Sequence, residues 1–267
     1  SSGVILTSSD GITWTPQYRS GSNDVYRAVA YGNSSFVIVG RNGKILKSSD
    51  GSNWTDVSIS SRDLLDITYG NIFVAVSELS KLYTSSDGGT WTTVSLSSGG
   101  GGDVHYYGVA YGNNIYVAVG SSGKSYSSMC GSTWDSRTSG TTRTLNDITF
   151  GNSIFVAVGG EGKIITSSDG SSWTERSSGS SYTLGSVTYG DGKFIVTKNM
   201  GSGILLSSDG INWTSVDASL SSVDDLIYLS PDDTTTDNTS PTVSSTSPTD
   251  SSTSFPIASS ISVTFSE

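Results

Sequence analysis

Residues 8–14 read SSDGITW, and this seven-residue phrase returns at regular intervals along the chain. The later copies are SSDGSNW ending at Trp54, SSDGGTW at Trp91, SMCGSTW at Trp134, SSDGSSW at Trp173 and SSDGINW at Trp213. Together with Trp14, these are all six tryptophans of the chain, and they follow one another at about 40 residues. A phrase that recurs at a fixed spacing indicates one structural unit used several times.

A second landmark keeps step with the first. It is an aromatic residue that is usually followed by Gly-Asn, and it falls at Tyr31, Tyr69, Tyr111, Phe150, Tyr189 and, without the glycine, Tyr228. Between landmarks each unit has four short β patterns, which in one copy are 145–150, 154–159, 163–168 and 172–177. Units of four strands and about 40 residues are typical of propeller blades.

The second strand of most units is an unbroken apolar run, such as IFVAVG at 154–159. Such runs are expected where neighbouring sheets cover both faces of a strand. Helical periodicity is absent, and Ser, Thr and Gly dominate a chain with only 14% charged residues. The sequence therefore predicts an all-β fold, a β-propeller of four-stranded blades over residues 1–229.

Six tryptophan phrases and six first strands, the last at 223–229, predict six blades closed by pairing the end of the chain with its beginning. Residues 1–3 align with the SSG of 121–123, which lies after a second strand. We therefore expect upstream residues to supply that strand, or further strands that would make seven blades.

The repeated Asp-Gly pair predicts a two-residue hairpin turn, because both positions tolerate positive φ and the Ser and Asp side chains accept free backbone N–H groups. The tryptophan is expected to wedge between blades. Cys130 replaces the aspartate in one copy, so the phrase is interpreted as structural and not catalytic. The turn residues so assigned are Asp10, Asp50, Asp87, Asp169 and Asp209, with the six tryptophans.

The phrase S-x-D-G-x-x-W resembles the Asp-box, or bacterial neuraminidase repeat, over residues 1 to about 230, although every copy lacks one residue between Asp and Gly. The resemblance implies a propeller with this box joining the third and fourth strands of each blade. It does not imply sialidase activity, since the Arg-Ile-Pro context of the first sialidase arginine does not occur here.

The polar segment 230–239 has no apolar period and is interpreted as a linker. Residues 240–267 resemble the opening of a bacterial Ig-like module of exported surface proteins, with Pro241, Val243, Pro248 and Pro256 followed by the alternation Ile261, Val263, Phe265. Only about two strands of such a sandwich are present, so these residues either begin that domain or pair elsewhere.

Composition excludes several functions. The net charge of −10 with only 14 Lys and Arg disfavours nucleic acid, and no apolar run approaches 18 residues, so membrane insertion is not expected. One cysteine and one histidine, His105, leave no basis for a metal site, and no motif indicates a cofactor. The acidic, hydroxyl-rich, cysteine-poor composition is associated with secreted or cell-surface microbial proteins.

The candidate binding site lies at the channel mouth of the predicted propeller. The loops before the first strands vary in length and chemistry, and variable loops on a rigid frame commonly carry recognition. Ligand-binding residues predicted near this end are Arg27, Asp66, Tyr107, Asp147 and Asp225. The alternative is that these carboxylates accept hydrogen bonds from neighbouring blades or face channel water.

The leading interpretation is a non-catalytic recognition or adhesion module of an exported surface protein that binds a glycan or a protein. One alternative is a glycoside hydrolase that uses channel carboxylates such as Asp66 and Asp147. Another is a scaffold factor that docks other proteins. The sequence leaves the ligand and the oligomeric state open.

Overall fold

The computed structural model describes residues 3–9, 11, 13–20, 24–59, 62–96, 104–199 and 203–216, together with the backbone of 260–262. Sheet I contains β1 (Val4–Ser8), β2 (Thr15–Arg19) and β23 (Ser260–Ser262). Sheet II contains β3 (Tyr26–Gly32), β4 (Ser35–Gly40), β5 (Ile45–Ser48) and β6 (Thr55–Asp56), and sheet III contains β7 (Leu64–Tyr69), β8 (Phe73–Ser77), β9 (Lys81–Ser85) and β10 (Thr92–Ser95). Sheet IV contains β11 (Tyr106–Gly112), β12 (Ile115–Gly120), β13 (Lys124–Ser128) and β14 (Asp135–Thr138). Sheet V contains β15 (Leu145–Gly151), β16 (Ile154–Gly159), β17 (Ile164–Ser167) and β18 (Thr174–Arg176), and sheet VI contains β19 (Leu184–Gly190), β20 (Lys193–Lys198), β21 (Ile204–Ser207) and β22 (Thr214–Val216).

Sheets II to VI are four-stranded antiparallel meanders, each built from one sequence repeat in chain order. Sheet I has the order β2-β1-β23, and Leu6 of β1 pairs with Ser262. The backbone of 260–262 thus lies beside the first repeat, although the sequence resembles an Ig-like opening there. The predicted first strand at 223–229 and the linker at 230–239 lie outside the described residues. The six-blade count and the Ig-like domain stay predictions.

The core is divided into clusters, each of which lies between two successive sheets. The second strands of sheets II to V each contribute to two clusters. In β16, Phe155 and Ala157 pack toward sheet IV, whereas Val156 and Val158 pack toward sheet VI. All four side chains are fully buried. This two-sided burial explains the unbroken apolar runs, since neither face of such a strand contacts solvent and polar side chains are therefore not favoured on either face.

The first strands of sheets II to VI lie side by side in sequence order, β3 against β7, β7 against β11, β11 against β15 and β15 against β19. Their landmark aromatics connect them. The glycine after each aromatic packs on the aromatic ring of the next sheet, in the pairs Gly32–Tyr69, Gly70–Tyr111, Gly112–Phe150 and Gly151–Tyr189. The aromatic-Gly landmark is therefore an interface between sheets, and the glycine is needed for space.

In sheets II, IV, V and VI, two-residue hairpins join the first and second strands, not the third and fourth. Both central residues have positive φ at Asn33-Ser34, Asn113-Asn114, Asn152-Ser153 and Asp191-Gly192. Where the structure describes both residues of an Asp-Gly pair, only the glycine has positive φ, for example 74° at Gly51. The connection from β5 to β6 also runs through six residues and not two. The predicted two-residue Asp-Gly hairpin is therefore wrong.

The Asp-Gly connection is instead a loop that its own side chains hold together. Oδ1 of Asp50 accepts the backbone N–H groups of Ser52 and Asn53 at 2.9 and 2.8 Å, and the Ser48 hydroxyl donates to it at 3.0 Å. The same Ser48 oxygen accepts the N–H of Gly51. Equivalent bonds occur around Asp87, Asp169 and Asp209. Asp10 lies outside the described residues.

In four of the phrases the tryptophan closes this loop by a hydrogen bond and packs toward the preceding sheet. The indole N–H of Trp54 donates to the Gly51 carbonyl at 2.9 Å, and Trp91, Trp134 and Trp213 make the equivalent bond. Trp91 packs in the cluster shared by sheets II and III, as Trp213 does between sheets V and VI. Trp173 packs likewise, but its buried indole N–H has no partner among the described residues.

These turns define two ends of the molecule. The turn end carries the two-residue hairpins and the Asp-Gly loops, and the two are linked across sheets: the Asn113 amide donates to the Ser168 carbonyl at 3.0 Å. The loop end carries the short turns between second and third strands, such as Arg41–Gly43, and the connections that lead to the next sheet. Ile59 of one such connection donates its N–H to the Gly43 carbonyl at 3.0 Å.

Candidate functional site

The candidate residues on the first strands lie at a recurring irregularity near the loop end. In each of the five strands β3, β7, β11, β15 and β19 the register with the second strand shifts near the start of the pair, between Tyr26 and Ala28 in β3. Arg27 and Tyr107 therefore occupy bulge positions, and Asp66 and Asp147 follow the bulge. A β-bulge changes the direction of a side chain, which is why these polar residues interrupt the alternation of the strand.

The Asp66 carboxylate links sheets III and IV. Its Oδ1 accepts the N–H of Ile67 at 2.7 Å, and its Oδ2 accepts the N–H of Val109 in β11 at 2.8 Å. Backbone donors thus engage both oxygens, one on its own strand and one on the next sheet.

Asp147 repeats this arrangement between sheets V and VI. Its Oδ1 accepts the N–H of Ile148 at 2.7 Å, and its Oδ2 accepts the N–H of Val187 at 2.7 Å and the hydroxyl of Ser186 at 2.8 Å. The neighbouring Asn146 amide donates to the Leu184 carbonyl at 2.8 Å. These are the inter-blade hydrogen bonds of the alternative interpretation, and they join the first strands near the loop end.

The other predicted ligand residues are not brought into one constellation with these carboxylates. Among the described residues Arg27 forms no ion pair with Asp66 or Asp147, and its buried Nε has no hydrogen-bond partner there. The Tyr107 ring stacks on His105, with ring centroids 6.2 Å apart and planes 13° apart. Asp225 lies outside the described residues. Ligand binding by these residues stays a prediction.

Sequence reasoning missed a cationic cleft at the loop end of sheets IV and V. The cleft is open and has a volume of about 670 Å³. Its lining comprises Ser122, Gly123, Lys124, Ser136, Arg137, Thr138, Ser139, Gly140, Thr141, Thr142, Arg143 and Lys163. Four of these twelve residues are cationic and none is acidic, in a chain with a net charge of −10.

The floor of the cleft is a fixed backbone arrangement. The Ser139 hydroxyl donates to the Gly123 carbonyl at 2.6 Å and accepts the N–H of Thr141 at 3.3 Å. Gly123 has φ of 69°, and a Cβ there would lie 1.9 Å from the Thr141 carbonyl oxygen, so only glycine fits. The Thr141 hydroxyl in turn accepts the N–H of Arg143 at 3.0 Å. The loop that carries Arg143 is therefore held against the turn that precedes Lys124.

The cations of the cleft have carboxylate neighbours outside it. Arg137 contacts Asp135 at 3.0 Å and Arg143 contacts Glu161 at 2.7 Å, while Lys163 pairs with Glu175. The side chains of these three acids are 62–77% exposed. Exposed ion pairs contribute little free energy, so the cations can exchange these partners. Lys124 makes no ion pair within the described part of the chain.

A signal for this cleft was present in the sequence. In the turn before the third strand, a Gly-Lys pair recurs at Gly43-Lys44, Gly123-Lys124 and Gly162-Lys163. Lys44 has carboxylates at 3.2 and 3.0 Å, from Asp24 and from Asp56 on the outer strand, whereas Ser136 takes the place of Asp56 in the repeat of Lys124. Comparison of the repeats position by position would have shown that the fourth unit lacks the acidic residue that balances its lysine.

The described residues contain no group of three His, Cys, Asp or Glu that could hold a metal ion. No helix in that part of the chain is long and apolar enough to span a membrane.

Comparison with known proteins agrees with this architecture. The family described as DUF6242 beta propeller domain matches residues 1–99. No curated protein matches the sequence. The chain resembles the solved structure of YCF48 bound to D1 peptide, with 19% identity, a TM-score of 0.58, and coverage of 77% of this chain and 71% of the other. The chain is a β-propeller.

Two further solved structures have the same likeness. YCF48 from Cyanidioschyzon merolae matches with 18% identity and a TM-score of 0.56 over 74% of this chain and 73% of the other. A catalytically inactive virginiamycin B lyase from Staphylococcus aureus with quinupristin matches with 11% identity and a TM-score of 0.66 over 75% and 72%. At these identities the likeness concerns the fold, since a binding protein and a lyase share it.

Proposed function

We propose that this propeller is a non-catalytic recognition module that docks a protein partner through its loop end. The observation that carries the proposal is the cleft of Lys124, Arg137, Arg143 and Lys163, a polar concavity on rigid strands at the end with variable loops. A scaffold or adhesion role at the surface of an exported protein is consistent with the acidic composition. The YCF48 structure with a bound peptide supports a protein partner for this fold.

The glycoside hydrolase is the weaker candidate. A glycosidase needs one carboxylic acid that gives a proton to the leaving group and a second carboxylate that faces the sugar. Asp66 and Asp147 instead use both oxygens to accept backbone N–H groups, partly from the adjacent sheets. A structural role accounts for both carboxylates without a substrate.

Arrays of peptides and of glycans, probed with the full chain, test the proposal. We expect peptide ligands whose binding is weakened by substitutions at the loop end, such as Arg143→Tyr, and unchanged by a substitution at the turn end, such as Asn113→Ser. Binding to glycans alone, or peptide binding that responds only to the turn end, would contradict the proposal. Each variant's melting temperature would show that it is folded.

A further inference from the structure

The next repeat provides an internal reference for the cleft. Around sheets V and VI the same backbone arrangement recurs: the Ser178 hydroxyl accepts the N–H of Ser180 at 3.1 Å, and the Ser180 hydroxyl accepts the N–H of Tyr182 at 3.1 Å. Gly162 has φ of 68°, and a Cβ there would meet the Ser180 carbonyl oxygen at 1.8 Å. The two loops therefore have one geometry and differ in their side chains.

The side chains differ in charge at two of four equivalent positions. By alignment of the repeats, Tyr182 takes the place of Arg143 and Gly203 that of Lys163, while Lys163 and Arg176 take the places of Lys124 and Arg137. The arginine pair is closely matched, because Nε of Arg137 donates to the Ser127 hydroxyl at 2.8 Å and Nε of Arg176 donates to the Thr166 hydroxyl at 2.9 Å. The Nε hydrogen bond of the arginine is therefore common to both repeats. The positive charges of Arg143 and Lys163 have no counterpart in the next repeat, so this loop geometry does not require them.

We propose that the cleft binds an acidic peptide segment in extended conformation, with Arg137 and Arg143 as its main anchors. This inference rests on the proposed docking function. Both arginine side chains are partly exposed, at 32% and 52%, and a guanidinium group matches a carboxylate by paired hydrogen bonds. Ligand carboxylates take the place of Asp135 and Glu161, which lie outside the cleft. Lys124 and Lys163 add unspecific attraction.

A peptide fits this cleft better than an acidic oligosaccharide. The cleft includes Ser136, Arg137 and Thr138 of β14, and β14 is the edge strand of sheet IV. An edge strand offers unpaired backbone N–H and C=O groups, with which an extended chain pairs as an added strand. None of the twelve lining residues is aromatic, so the cleft offers no ring on which a sugar would stack.

The charge of the whole molecule sharpens the selection. With a net charge of −10, the remaining surface repels an acidic segment, so the cationic cleft is the place where such a segment can dock. The attraction acts between partly exposed charges, and dissolved salt weakens such an attraction by screening it. Affinity for the segment should therefore fall as ionic strength rises.

The test is fluorescence anisotropy with the full chain and three labelled probes: a Glu-rich peptide, its Gln-for-Glu counterpart, and a sulfated oligosaccharide. We expect the acidic peptide to bind more tightly than the neutral one, and its affinity to fall in 0.5 M salt. Arg137→Gln and Arg143→Tyr should each weaken binding about tenfold, the loss expected for one charge-assisted hydrogen bond. Arg143→Tyr uses the residue of the next repeat, so the loop should keep its fold.

Arg176→Gln is the matched control, because it removes the same Nε hydrogen bond outside the cleft and should leave binding unchanged. Equal binding of the acidic peptide to all variants would overturn the cleft as its site. Equal binding of the acidic and neutral peptides, lost in Arg143→Tyr, would overturn the acidic ligand while the proposed docking function stands. Binding of the sulfated oligosaccharide in the absence of peptide binding would overturn both.

Discussion

Gly112, at the end of β11, lies directly against the ring of Phe150, the landmark aromatic of the next repeat. A Cβ at Gly112 would be 2.1 Å from Cγ of that ring, which is far inside van der Waals contact. The same pairing joins Gly32 to Tyr69 and Gly151 to Tyr189. A sequence landmark that looks like a turn signal is therefore the contact by which one sheet is fitted to the next.

Gly112→Ala should destabilise the protein by about 1–3 kcal/mol, because overpacking forces the ring or the strand to move. Urea unfolding checks this, with the midpoint as the measured quantity. Gly160→Ala is the control, since its nearest neighbour beyond the adjacent residues would be 3.9 Å from the new Cβ. In Phe150→Ala the cost of Gly112→Ala should shrink, because Phe150→Ala removes the ring atoms that the new Cβ would meet. Equal midpoints for Gly112→Ala and the wild type would contradict the packing argument.

Asp147→Ala should lower stability, because it leaves the Val187 N–H and the Ser186 hydroxyl without this acceptor. A lost partner for a buried or partly buried donor costs about 1–3 kcal/mol. Thermal unfolding of Asp147→Ala and Asp66→Ala measures this, with Glu175→Ala as a comparison, since it removes only an exposed ion pair with Lys163. If Asp147→Ala keeps the wild-type melting temperature, the carboxylate is not the inter-sheet link that its contacts indicate.

The repeats allowed much of this fold to be predicted, because the second strand of each unit is covered on both faces and shows this in its composition. The predicted strand at 154–159 coincides with β16. The Asp-Gly connection was mistaken for a two-residue hairpin because dipeptide preference ignores the longer loop that Ser48, Asp50 and Trp54 close by their own hydrogen bonds. Local side-chain bonds overrode the preference of the pair.

The candidate site was harder to predict for a different reason. Arg137 and Lys163 are far apart in sequence, and they line one cleft only because sheets IV and V are adjacent. Conversely, the sequence left open whether Asp66 and Asp147 bind a ligand or accept hydrogen bonds from neighbouring blades, because the strand pattern carries no sign of the N–H groups that the next sheet offers. The sequence shows which side chains are charged or polar, but which groups they contact depends on how the repeats pack against one another.

Lowering the pH should destabilise the propeller through its Asp-Gly loops. Hydrogen bonds from the backbone N–H groups of Thr90 and Gly89 lower the pKa of Asp87 to about 2, and those of Ser172 and Ser171 lower the pKa of Asp169 to about 2. A carboxyl group whose pKa is lower in the folded state contributes stability above its unfolded pKa of about 3.9 and loses it as the pH falls toward 2. The urea midpoint should therefore fall between pH 4 and pH 2.

The double variant Asp87→Asn, Asp169→Asn gives the comparison for this pH dependence. Asparagine does not titrate in this range, so the variant should be less stable at pH 7 and should lose less stability than the wild type on acidification. The difference between the two proteins should narrow as the pH approaches 2. Parallel pH profiles would show that these two carboxylates are not linked to folding.

Cys130 should react as a thiolate at unusually low pH. It takes the place of the aspartate in the fourth loop, where hydrogen bonds from the Ser132 and Thr133 side chains, and then from their backbone N–H groups, lower the pKa of the thiol to about 6. Since Cys130 is the one cysteine of the chain, alkylation by iodoacetamide reports on this group alone. The rate should reach half its maximum near pH 6, and near pH 8.5 in the urea-unfolded chain. A folded-state midpoint above pH 8 would contradict the role of these donors.

Cys130→Asp should stabilise the fourth loop, because a carboxylate oxygen is a stronger hydrogen-bond acceptor than the sulfur it replaces. A carboxylate there would accept the N–H groups of Ser132 and Thr133, as Asp87 accepts those of Gly89 and Thr90 at 2.8 and 2.9 Å. The Ser128 hydroxyl oxygen already accepts the Gly131 N–H at 2.8 Å, so the rest of the loop is in place. We expect a melting temperature about 2–4 °C higher, the shift that one added charge-assisted bond gives in a domain of this size. Cys130→Ala, which removes the thiol and adds no acceptor, should melt no higher than the wild type, and a fall in melting temperature for Cys130→Asp would show that the fourth loop differs from the others in more than this side chain.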